Sequence, residues 1–257
     1  MPTADQIDVV RISHEVISPL DWELTCDGVD AVIHLGAGAH VLRETSENVH
    51  AVYRSANCEV TLALALAALA SGVQRFIFVS SIGVNGDESF GTPFTAGDLS
   101  AIHSPHAVSK YEAETGLRKL SEQRGLGVMI IRPPLVYGPD APGNFGVLVS
   151  AVQRGWPLPL GAVHNQRSLV ALDNLVDFVP TFIIHPQAAN QTFLVSDEHD
   201  LSTTELVRVM AQAAGVPARL LPVPVWTLQV DITKARSLLG WVPPVSVQEG
   251  LRRAMAL

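Results

Sequence analysis

Short apolar runs rich in β-formers recur along the chain: residues 30–35 (DAVIHL), 76–79 (FIFV), 128–131 (VMII), 168–172 (SLVAL) and 192–195 (TFLV). Each is bounded by polar or small residues, as expected of strands buried on both faces of a parallel sheet. Between them the apolar period lengthens. From residue 47 to 71, Val49, Val52, Tyr53, Ala56, Val60, Leu62, Leu64 and Leu66 make one broad helical face, and Gly72 supplies a stop. Ser104 and Pro105 open a second long helix, serine at the N-cap and proline at the first helical position, which ends near Gly125. Further helical patterns cover 146–154, 174–184, a segment capped at Ser202 with Glu205 three residues on, 232–239 and 247–255. Residues 7–12 read as a strand, and 20–30 as a loop or short helix. Buried strands alternating with helices make the class α/β, a doubly wound parallel sheet.

Composition narrows the functions such a fold can serve. The 257 residues are 47% apolar and 16% charged, enough to bury a large core. A net charge of −8 argues against nucleic acid or an anionic membrane surface as partner, so an anionic ligand must meet locally placed cations. Cys26 and Cys58 have no metal or redox spacing and suggest a reducing compartment. The start lacks the pattern of a signal peptide, and the apolar run 62–70 is too short to span a bilayer; the expected location is cytoplasmic.

Candidate chemistry gathers after the strands. Ser80 and Ser81 follow residues 76–79, where open α/β sheets bind ligands, although a serine pair there is also an ordinary turn. Gly36 and Gly38 follow residues 30–35 and invite a dinucleotide reading, but Val41 stands where the third glycine belongs. His103 and His106 have the i, i+3 spacing of metal ligands without an apparent third. His34, on a buried strand, suits a hydrogen-bonded core histidine. Arg167 reads as a surface arginine on a strand edge or as an anion ligand, and Asn144 after Gly143 as a turn residue or a ligand contact. A serine hydrolase lacks its G-x-S-x-G elbow.

Seven stretches in order, VIHLGAGAHV, the asparagine Asn57, FVSSIGVNG, SPHAVSKYEAE, RPPLVYGP, RSLVALDNLVD and LGWVPPVSVQEGLR, resemble the extended short-chain dehydrogenases, in their NAD-dependent epimerase/dehydratase branch. The resemblance runs from about Gly28 to the C-terminus and is strongest to bacterial UDP-glucose and UDP-N-acetylglucosamine 4-epimerases. It implies a Rossmann-like NAD-binding domain and a UDP-sugar substrate. By position it implies catalytic roles for Ser81, His106 and Lys110. Cofactor contacts would come from Ala37, His40, Asn57, Lys110, Pro133 and Pro134, and sugar-nucleotide contacts from Asn144 and Arg167; no metal is implied. Ile82 and Gly83 replace the Asp-Glu pair of the dehydratases, which favours an epimerase.

Departures qualify the expected activity. The glycine-rich TGxxGxxG of such proteins is not in the sequence, so residues 30–35 match the family's fourth strand and NAD is expected to bind weakly, if at all. The family's catalytic tyrosine is His106 here; Tyr111 lies five residues further along the helix. The segment after Pro224 is shorter than in relatives. The expected organisation is a truncated NAD-binding domain over 1–140 and a substrate region over 141–257, with 168–185 returning to the core. A homodimer through helices 48–70 and 106–123 is expected. The alternative function is a non-catalytic sugar-nucleotide-binding or regulatory relative.

Overall fold

The computed structural model describes residues 8–11, 19–36, 49–89, 91–98, 102–221 and 228–256. A four-stranded sheet has the order β1-β2-β3-β6, formed by β1 (Ala31–His34), β2 (Arg75–Val79), β3 (Gly127–Arg132) and β6 (Gln191–Leu194). The pairs β1–β2 and β2–β3 are parallel, with His34 opposite Phe78 and Phe78 opposite Ile130. Four of the five runs expected as strands therefore form this sheet, and β1 ends it among the described residues. Residues 8–11 are described and have no regular structure; the rest of the expected 7–12 strand lies outside the described residues.

Two compact units partition the chain. The first takes residues 1–84, 99–132 and 179–193; the second takes 85–98, 133–178 and 194–257. The sequence-based division at 140, with 168–185 returning, thus differs from the observed units. The reason is a strand the apolar pattern did not reveal: β4 (Leu135–Tyr137) pairs in parallel with β5 (Leu169–Ala171) in a separate two-stranded sheet. That pairing holds residues 133–171 in the second unit, and only 179–193 return to the first.

In the first unit the helix expected over 47–71 is one rod of three parts: α2 (Val49–Arg54), a π-helical turn (Ser55–Glu59) and α3 (Val60–Ala70). With α1 (Pro19–Cys26) and α4 (Pro105–Arg124) it covers one sheet face. Cys58, Ala65, Ala68, Phe76, Phe78, Leu117, Val128 and Ile130 share that core cluster, so both cysteines of the chain serve as small buried hydrophobes. Helix α4 is bounded as its sequence demands: the Ala107 N–H donates to Ser104 Oγ at 3.2 Å, and Gly125 ends it at φ 77°.

The second unit packs α5 (Gly143–Gln153), α7 (Thr203–Ala213) and α9 (Val247–Met255) around β4 and β5. Its pivot is a buried carboxylate. Asp197 accepts from Tyr137 Oη at 2.7 Å, Ala171 N at 2.9 Å and Asn174 Nδ2 at 2.7 Å. Asn174 belongs to α6 (Leu172–Ile184), so one carboxylate ties β4, β5 and α6 together. Burial and the adjacent Asp197 push the Tyr137 phenol above its ordinary range. The capping box expected at Ser202 is present, with Ser202 N donating to Glu205 Oε2 at 2.8 Å and Glu205 N to Ser202 Oγ at 3.1 Å. A short helix, α8 (Thr233–Leu239), precedes α9.

Candidate active site

Parallel strands bring the carboxyl ends of β1 and β2 together, and α4 delivers Lys110 to them. Lys110 is 2% exposed. Its ammonium donates to Val79 O at 2.9 Å and, more weakly, to Gly36 O at 3.5 Å, and lies 4.6 Å above the Phe78 ring centroid. Burial penalises the charged amine and lowers its pKa to about 8, against the opposing pull of Glu114. Glu114, one helical turn beyond, is itself buried. Arg132 clamps it with two hydrogen bonds, Nε to Oε1 at 2.9 Å and Nη2 to Oε2 at 2.6 Å.

His106 stands one turn before Lys110, half-buried, its ring edge-on to Tyr53 with centroids 5.8 Å apart. Its pKa is lowered, chiefly by burial and secondly by the Lys110 charge. Tyr111 is exposed and faces elsewhere. Ser81 lies nearby: its Oγ accepts from Gly83 N at 3.1 Å. A Cβ placed on Gly83 would fall 3.4 Å from that oxygen and 3.3 Å from Ala107 Cβ, so the serine and the first turn of α4 flank one point. Among the described residues no acceptor takes the Ser81 proton, which suits it to a ligand. The neighbouring Ser80 Oγ is buried without a hydrogen-bond partner among the described residues.

Asn57 occupies the π-helical turn, fully buried, and donates from Nδ2 to Ser109 Oγ at 2.9 Å. His34 is the core histidine its strand suggests, 3.0 Å from Thr61 Oγ1. Ala37 and His40 lie outside the described residues. Among those described, no group of three His, Cys, Asp or Glu side chains is arranged to hold a metal.

The remaining expected contacts lie in the second unit. Pro133 and Pro134 are buried between β3 and β4 in the chain. Asn144 is exposed on the first turn of α5. Arg167 is anchored by its backbone, accepting from and donating to Leu201 at 3.1 and 2.9 Å. Its guanidinium is half-buried with no hydrogen bond or ion pair among the described residues, and burial lowers its pKa. Asp200, which precedes Leu201 in the chain, accepts from Ser168 Oγ and Gln229 Nε2, both at 2.6 Å.

Sequence reasoning passed over Thr61, Ser109, Glu114 and Arg132. One signal was there: His106, Lys110 and Glu114 are spaced i, i+4, i+8 and therefore share a helix face.

Comparison with known proteins fits this geometry. Over 261 residues the chain is 42% identical to the UDP-glucose 4-epimerase of Vibrio cholerae, covering 93% of this chain and 80% of that one. A UDP-glucose 4-epimerase of Mycolicibacterium smegmatis is 30% identical, with coverages of 88% and 75%. The UDP-glucose 4-epimerase of Thermotoga maritima, solved with UDP-glucose, superposes with a TM-score of 0.81 over 92% of this chain and 80% of that one; at 24% identity this likeness speaks to fold. The family profile described as NAD dependent epimerase/dehydratase matches residues 9–196, and the chain belongs to that family.

Proposed function

We propose that this chain performs NAD-dependent 4-epimerisation of a nucleotide sugar of the UDP-glucose or UDP-N-acetylglucosamine type. The observation that carries the reading is the strand-end cluster: a buried Lys110 ammonium fixed on Val79 O, His106 one turn before it, and a Ser81 hydroxyl whose proton is uncommitted. In that reading Ser81 and His106 accept and relay the sugar hydroxyl proton. Arg167 and Asn144, both in the second unit, are the proposed contacts of the sugar-nucleotide pyrophosphate; the Arg167 guanidinium, without a hydrogen bond or ion pair among the described residues, suits phosphate oxygens.

The residues present fit the nicotinamide end of NAD. Lys110 has an ammonium proton to spare beyond its two carbonyls, and Ser80 offers a buried hydroxyl in want of a partner. Asn57, Pro133 and Pro134, with Ala37 and His40, complete the proposed contacts. When bound, NAD takes up and returns a hydride at the sugar carbon. Its binding is weak in this reading, because the sequence has no glycine-rich turn to cradle the dinucleotide phosphates. Each charge-assisted hydrogen bond forgone is worth about 1.5–3 kcal/mol. Dinucleotide released by acid from the purified chain should fall well below one per chain.

A second reading, sugar-nucleotide binding without turnover, is favoured by one observation. Lys110 would stabilise a phenolate at position 106, but it opposes the imidazolium that His106 becomes on taking a proton. Conversion of UDP-glucose to UDP-galactose with millimolar NAD separates the two. Slow turnover that rises about 10²–10⁴-fold in His106→Tyr supports the epimerase. UDP binding with no conversion in either protein supports the binder. The proposed homodimer uses the helices over 48–70 and 106–123, which the Arg54–Glu112 ion pair at 3.2 Å joins within one chain, and sedimentation velocity tests it.

A further inference from the structure

Two hydroxyls in the first unit have their protons committed, and this fixes the direction of every hydrogen bond between them. Thr61 Oγ1 donates its only proton to Asn57 O at 2.6 Å. The 3.0 Å contact between Thr61 Oγ1 and His34 Nε2 must then be a donation from the ring, so His34 carries hydrogen on Nε2. Likewise Ser109 Oγ gives its proton to His106 O at 2.7 Å and accepts from Asn57 Nδ2 at 2.9 Å. The π-helical turn makes this possible. Val60 N–H reaches back five residues to Ser55 O, widening the helix where Asn57 points at α4.

The chain of contacts closes on itself. A Cβ on Gly36 would sit 2.9 Å from His34 Cε1, so the His34 ring lies directly against the Gly36 backbone. The carbonyl of that same Gly36 is the second acceptor of Lys110 Nζ. His34, Thr61, Asn57, Ser109, Lys110 and Gly36 thus form a circuit linking the end of β1, the helix rod and α4. All five side chains in it are at most 6% exposed.

We infer that His34, acting through Thr61 and the π-helical turn, is a positioning residue that holds the Lys110 ammonium on the strand-end carbonyls. A buried network whose two hydroxyl protons are each committed to one carbonyl is stiff, because any displaced member leaves an unsatisfied polar group in the core. The inference rests on Lys110 being a site residue, but its test reads hydrogen bonding rather than turnover, so the two can fail separately. The ionisable groups facing Lys110 are His106 and Glu114 on α4, the latter held by Arg132 of β3, and His34 on β1.

The experiment is nuclear magnetic resonance on the full chain labelled at histidine and lysine; Lys110, Lys119 and Lys234 are its only lysines. In the wild type, His34 should show a slowly exchanging Nε2–H. Lys110 should titrate near 8 in the wild type and in Thr61→Ser. In Thr61→Val, which keeps the shape and loses the hydroxyl, its midpoint should rise by about 1 toward the usual lysine value of about 10.4. An unchanged Lys110 midpoint in Thr61→Val overturns the inference. Should that variant not fold, a wild-type His34 found protonated on Nδ1 overturns it equally.

Discussion

The two units differ in how their candidate cations are held. In the first, Lys110, Asn57 and Glu114 are buried and each is engaged by other groups of the same unit. In the second, Arg167 is half-buried and its guanidinium has no hydrogen bond or ion pair among the described residues, while Asp200 is engaged by neutral donors. A satisfied network sets geometry before any ligand arrives. An unsatisfied cation keeps its binding capacity for an anion, at some cost to the free protein. In the proposed function, positioning and affinity are therefore divided between separate stretches of chain.

Breaking the satisfied side should cost most. Glu114→Gln leaves the buried Arg132 without its anion and should destabilise the fold by about 3–5 kcal/mol. Replacing both partners with apolar residues should cost far less, and urea titration of the two variants checks the contrast. Arg167→Ala should leave stability unchanged or slightly raised, because the guanidinium has no partner to lose. It should weaken UDP binding by about 1.5–3 kcal/mol, roughly ten- to a hundredfold, in calorimetry. Equal effects of this variant on stability and on binding would erase the division.

The smallest effect is on pH dependence. A lowered His106 pKa keeps the imidazole neutral and able to accept a proton down to below 6.5, so the acid limb of the activity should lie below that value. Lys110 loses its charge above about 8, which should give a second, alkaline decline. A rate profile with its acid limb unmoved in His106→Tyr would assign that limb elsewhere.

Much of this was legible in the chain. Runs such as FIFV and VMII are strands because only a doubly covered sheet buries four consecutive apolar residues, and the Ser104-Pro105 start and Gly125 stop of α4 are local chemistry. What escaped is non-local. Strand β4 follows two prolines and exists through its pairing with β5, far along the chain. The Glu114–Arg132 clamp joins a helix to a strand end, which no spacing announces. Helices α5 and α6 begin earlier than their apolar periods, since a first turn needs no buried face. Of the candidate site, Ser81, His106 and Lys110 were found by motif, whereas Thr61 and Ser109 look like ordinary helix residues until their hydroxyl protons are traced.

The π-helical turn also carries a consequence for how this chain can change length. One residue advances an α-helix by about 100° around its axis. The extra residue between 55 and 59 therefore sets the phase between α2 and α3, turning Ala65 and Ala68 onto the sheet while Asn57 faces α4. Deleting a single residue there would close the bulge into a regular α-helix and remove the widening that aims Asn57 at α4. Insertions and deletions should be tolerated in the surface loops of this chain and excluded from those five positions, where the count of residues matters as much as their identity.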